Sequence, residues 1–103
     1  MRRPEVDWPF DDPPAAPVVT SNYVTDDQLP ILYVSHERDE GGDSLWQFHC
    51  GNGDYHVTRM RLVRLDTVLA IDPSIAELAD LPLGWTARRV SVDGAWLRDG
   101  ASE

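Results

Sequence analysis

Apolar and polar residues alternate with a period of two in several short stretches of this chain, the spacing that sends successive side chains to opposite faces of a strand. A short strand is predicted to begin at Val18. A polar turn over Thr25 to Gln28, marked by Asp26-Asp27, then leads to a stronger strand, Ile31 to His36. There Ile31, Tyr33 and Ser35 share one face and Leu32, Val34 and His36 the other; apolar residues on both sides predict a central strand. The charged Gly-Gly loop from Glu37 to Ser44 leads into LWQFHC, which puts Trp46, Phe48 and Cys50 on one face and Leu45, Gln47 and His49 on the other. After Gly51-Asn52-Gly53, TRMRLVRL reads as a further strand with Met60 and Leu62 towards the core.

Helical signals follow that strand. Asp66 is a candidate N-cap for TVLAI, and Asp72-Pro73 offers an N-cap followed by proline at the first helical position. Ser74 and Glu77 form an alternative capping box, and Pro82 stops the second segment. In WTARRVSVDGAWLRD, Asp93-Gly94 signals a two-residue hairpin loop. That register sets Val90 against Leu97, Arg88 against Asp99 and Arg89 against Arg98; the last pair needs an acid or a bound anion between its members.

These elements predict an α+β fold: an antiparallel sheet of about five or six strands with two short helices on one face. The domain is expected over 18–103. Residues 1–17, with five of the eight prolines and several acids, read as an extended arm that neither pairs into a sheet nor sustains a helix. Its Trp8 and Phe10 are expected to fold back on the domain or stay without fixed structure, in preference to forming a docking peptide.

Composition narrows the function. The chain of 103 residues has room for one domain. No apolar run approaches the roughly 18 residues of a membrane span, and the N-terminus has no apolar signal core, so the expected location is the cytoplasm. The formal net charge of -9 opposes nucleic-acid binding and favours a basic protein partner. All nine basic residues are arginine, a bias read as GC-rich bacterial coding rather than a binding feature. The pattern leaves monomer and homodimer both open.

Chemical sites are sparse. His36, His49, Cys50 and His56 lack zinc-ligand spacing, and His49 and Cys50 diverge on an extended strand; no metal or cofactor is expected. Cys50 beside Trp46 and Phe48 lacks the base and access a nucleophile needs, and only His56, whose direction the alternation does not fix, offers a route back. The glycines of CGNGDYH join two strands and form no phosphate cradle. Arg59, Arg61 and Arg64 are expected to pair with acids within the molecule.

Between Ile31 and Asp99 three motifs stand together. The first is W-x-F-x-x-G at Trp46, Phe48 and Gly51. The second is L-x-T-V at Leu65, Thr67 and Val68, running into D-P-x-I at Asp72, Pro73 and Ile75. The third is the L-x-D-x-P-x-G exit at Leu78, Asp80, Pro82 and Gly84. In these the chain resembles a small bacterial domain family of immunity proteins of polymorphic toxin systems. The resemblance implies a non-enzymatic protein that binds a toxin, and implies no catalytic residues. Family members follow the first glycine with acids where this chain has Asn52-Gly53 before Asp54. The candidate partner-binding acids are Asp39, Glu40, Asp43 and Asp54. The alternative is a ligand-binding or enzymatic pocket lined by Trp46, His49, His56, Arg88, Arg89 and Arg98.

Overall fold

A computed structural model describes residues 8–54 and 56–100; the first seven residues of the arm lie outside the described residues. Among the described residues six strands form one sheet in the order β4-β1-β3-β2-β5-β6. They are β1 (Pro17–Ser21), β2 (Tyr33–Arg38), β3 (Ser44–His49), β4 (Met60–Arg64), β5 (Trp85–Arg88) and β6 (Leu97–Asp99). Two α-helical segments, α1 (Asn22–Thr25) and α2 (Leu65–Ile71), and 3-10 turns at Val57–Arg59 and Pro73–Leu78 complete the α+β fold.

The sheet is mostly antiparallel, with one departure from the expected pattern. β3 lies between β1 and β2 and runs parallel to β1, in the register Val19↔Gln47. Helix α1 replaces part of the expected polar turn and helps carry the chain past that position. β2 is interior, flanked by β3 and β5, as its two apolar faces predict.

Strand pairing assigns the faces. Val34↔Phe48, His36↔Trp46 and Val34↔Ala87 lie on one side, and Val18↔Val63 joins them across β1 and β4. This side packs against Leu65 and Val68 of α2 and Ile75 and Leu78 of the following 3-10 turn in one buried cluster, so the short helical segments cover one face. Neither segment is long enough to be stable alone, and tertiary burial holds them. The opposite side carries Val19, Gln47, Tyr33 and Thr86, all half-buried, with Leu62 and Leu97 exposed on the edge strands.

Several local expectations are corrected. Val63, not Met60 or Leu62, turns towards the core, and Leu62 is 70% exposed. Pairing with β1 decides this, because Leu62 faces Val19 while Val63 faces the buried Val18. Pro17 does enter the sheet, opposite Arg64, at the first position of its strand, where a missing N–H is tolerated. Asp66 lies inside α2, whose N-cap is Arg64; its carboxylate accepts two hydrogen bonds from that Arg64 guanidinium, at 3.0 and 2.8 Å. Asp72 does cap the next turn: its Oδ1 accepts from the Ser74 amide, and Pro73 follows at the first helical position. Ser74 therefore serves Asp72's cap and not a start of its own.

The arm joins the core. Phe10 is 5% exposed and meets Trp46 edge-on at 5.2 Å between centroids. Trp8 packs beside it and donates its indole N–H to the Asp12 carbonyl at 2.7 Å. The arm is pinned at a second point where the Ser44 hydroxyl donates to Asp12 Oδ2 at 3.1 Å. Further on, the amides of Leu65 and Asp66 donate to the carbonyls of Ala16 and Pro14.

Candidate functional site

The β5-β6 hairpin differs most from its sequence reading, and the difference places three arginines. Arg88 pairs with Leu97 and Ala87 with Arg98, two residues away from the expected Val90 with Leu97. An Asp-Gly loop of the expected type needs a left-handed glycine, and Gly94 is not among the glycines at positive φ. Moving the register separates the like-charged Arg89 and Arg98. Arg98 turns to Asp80 at 2.7 Å, while Arg89 leaves the strand and points inward.

Arg89 is 6% exposed. Its Nε and Nη2 donate to the Ile31 carbonyl at 3.1 and 2.9 Å, and Nη2 also meets Asp72 Oδ2 at 2.7 Å. Nη1 donates to Ser74 Oγ and to the Val92 carbonyl, and the Trp96 ring stacks 4.2 Å from the guanidinium carbon. This buried cation ties the start of β2, the Asp72 cap and the β5-β6 connection together. A guanidinium satisfied on every edge is a structural fastening, not an anion receptor.

The other residues considered for a pocket are dispersed. Trp46 lies in the core, stacked on His36 at 3.9 Å between centroids. His36 itself bridges the Leu81 carbonyl and the Ser44 hydroxyl, at 2.6 and 2.7 Å. That serine-histidine contact belongs to the relay that pins Asp12 of the arm. His49 is 3% exposed on the opposite face, bonded to Gln47 at 2.9 Å; burial pushes its pKa down, with Glu37 opposing. Cys50 packs inward in the core, as the alternation predicts. His56 is exposed and caps its own turn, Nδ1 engaged by Thr58. Arg88 and Arg89 share a hollow of about 360 Å³ with Leu32, Tyr33, Gly51 and Val90, but the other four candidates do not line it.

The four candidate acids fall at two ends of the sheet. Asp39, Glu40 and Asp43 are exposed on the β2-β3 loop, where Asp39 Oδ1 accepts from the amides of Gly41 and Asp43. Asp54 lies beyond the far end of β3, about 20 Å away at the usual rise per residue. The Tyr23 hydroxyl donates to it at 2.6 Å. That bond, followed by the His56 amide and the Arg59 charge, holds the Asp54 carboxyl below its ordinary range, and the same contact raises the Tyr23 phenol. Arg59 reaches Asp54 at 4.0 Å and Arg64 reaches Asp66, whereas Arg61 donates to the Thr58 and Met60 carbonyls.

A larger groove of about 640 Å³ was not anticipated. Val24, Leu29, Pro30, Ile31, Ile71 and Val92 give it an apolar lining, and Thr25, Gln28 and Asp72 complete it. Its walls come from α1, the segment leading to β2, the end of α2 and the β5-β6 connection, four places that no sequence motif links. Among the described residues, no group of three or more histidine, cysteine or acidic side chains is arranged to hold a metal ion, and no helix is long and apolar enough to cross a membrane.

The molecule is thus a one-sheet α+β domain whose interior charges fasten elements together. A family model described as the immunity protein Imm33 domain matches residues 18–99, reaching from the second residue of β1 to the last of β6. The chain belongs to this immunity protein family. No curated protein and no solved structure matches it.

Proposed function

We propose that this protein is a non-enzymatic, cytoplasmic immunity protein that neutralises a toxin by binding it. The observation that carries the reading is the family match, which spans all six strands rather than a fragment. The side chains that a catalytic reading would recruit support it. Of the six pocket candidates, Arg89 is fastened to Asp72 and Arg98 to Asp80, Trp46 lies in the core, and only Arg88 and Arg89 share a hollow.

The net charge of -9 points to a basic toxin surface, because a net-negative molecule accelerates encounter with a positive one and raises specificity. Asp39, Glu40, Asp43 and Asp54 contribute to that field from both ends of the sheet.

The test is protection in cells. Expressed with the toxin encoded beside its gene, the protein should restore growth and co-purify with that toxin in a salt-sensitive complex. Continued killing, together with no complex between the purified proteins at micromolar concentration, would refute the reading.

A further inference from the structure

We propose that the 640 Å³ groove is the anchor site for the toxin, and that it takes an apolar side chain flanked by lysine or arginine on the toxin surface. The inference rests on the immunity reading and says where on this molecule the contact is made.

Two independent features point to the groove. The first is apolar exposure. Among the described residues eight large hydrophobics are exposed, and three of them, Leu29, Ile71 and Val92, converge on its rim at 38%, 44% and 53% exposure. Val24 and Ile31, each 1% exposed, form the floor. A concave apolar site with exposed apolar walls is the geometry of an interface anchor pocket.

The second is the sign of the charge around it. Every charged residue lining the groove, or adjacent in the chain to a lining residue, is acidic: Asp26, Asp27, Asp72 and Asp93. Of these, Asp72 is already paired with Arg89, which leaves Asp26, Asp27 and Asp93, all exposed, to set the sign. Asp54, bonded to Tyr23 next to Val24 in the chain, brings Arg59 with it, 4.0 Å away and over the Tyr23 ring, and so adds no net charge there. An apolar floor flanked in the chain by three exposed acids selects an apolar side chain with cationic neighbours. It disfavours a second copy of this chain, which would bring the same acids against it.

Affinity for the toxin is measured by calorimetry on the full chain, with Ile71→Glu, Val92→Glu and, as a control on the opposite sheet face, Leu62→Glu. All three positions are exposed, and amide NMR dispersion verifies that each variant folds. Loss of affinity by about tenfold or more for each groove variant, with the control unchanged, is expected of a central anchor. Asp26→Asn/Asp27→Asn should slow association more than it speeds dissociation. Wild-type affinity in both groove variants, or an equal loss in Leu62→Glu, overturns the groove assignment while leaving the immunity reading standing. A wild-type dimer that Ile71→Glu splits would assign the groove to a second copy. Failure of the wild-type chain to bind the toxin removes the immunity reading and the inference with it.

Discussion

Arg89 shows how one side chain can decide whether a pattern of charges is a site or a joint. With its guanidinium 2% exposed and its Asp72 partner 18% exposed, removing the cation strands a buried carboxylate and frees the Ile31 and Val92 carbonyls. Arg89→Ala is therefore expected to cost about 3–5 kcal/mol in denaturant unfolding. Arg89→Lys should also destabilise, because one ammonium cannot serve three edges at once; a loss below about 1 kcal/mol in both would contradict the fastening role. His49 makes a separate prediction. Its folded pKa lies below the ordinary 6.5, so above that pH it adds no pH dependence, and as pH falls below it the unfolded chain takes up the proton first and stability drops. His49→Gln should flatten stability between about pH 7 and 5. Asp54, Asp66 and Asp80, whose pKa values are lowered by hydrogen bonds, act in a separate window, losing their contribution as pH falls below 3.8. The opposite faces of Cys50 and His49 were legible because strand alternation is local, but the burial of His49 was not. Arg89's partners were not, since they lie 58 and 17 residues away in sequence and depend on a register that the Asp-Gly signal misplaced.

Elements were legible in proportion to how locally they are determined. The Trp46/Phe48 strand, the Ile31 to His36 strand and the Asp72-Pro73 cap follow from alternation and capping chemistry, and each is present with small shifts at its ends. The parallel β1-β3 pair and the inward turn of Val63 were hidden, because strand order is a tertiary property that no single segment encodes. The arm was legible in part: Trp8 and Phe10 fold back on the domain, one of the two expected outcomes, whereas Pro17 pairs into the sheet against expectation. Proline-rich sequence argues against helix and sheet, but does not prevent a single aromatic from entering a core. Phe10→Ala should cost about 3–5 kcal/mol, the range for a buried aromatic, when followed by thermal or chemical unfolding. Asp12→Asn should cost less, since it weakens one half-buried contact to Ser44. If Phe10→Ala unfolds like the wild type, the arm is no part of the core.

At the scale of the whole molecule, a six-stranded sheet is held by one apolar cluster on its helical side and by polar joints at the buried Arg89 and the half-buried His36. The apolar residues of the three sequence motifs, Trp46, Phe48, Leu65, Val68, Ile75 and Leu78, all lie in the core, which is why the sequence revealed the fold class better than any working surface. The 640 Å³ groove draws on four separated segments, and nothing in any one of them announces it. Neutralisation by binding has a stoichiometric signature that catalysis does not share, and titrating purified protein into a fixed amount of its toxin reads that signature directly. Residual toxin activity should fall linearly and vanish near one equivalent, and full toxin activity should return when the complex is dissociated. Inactivation by a small fraction of an equivalent, with no recovery, would show a catalytic protein and contradict the account.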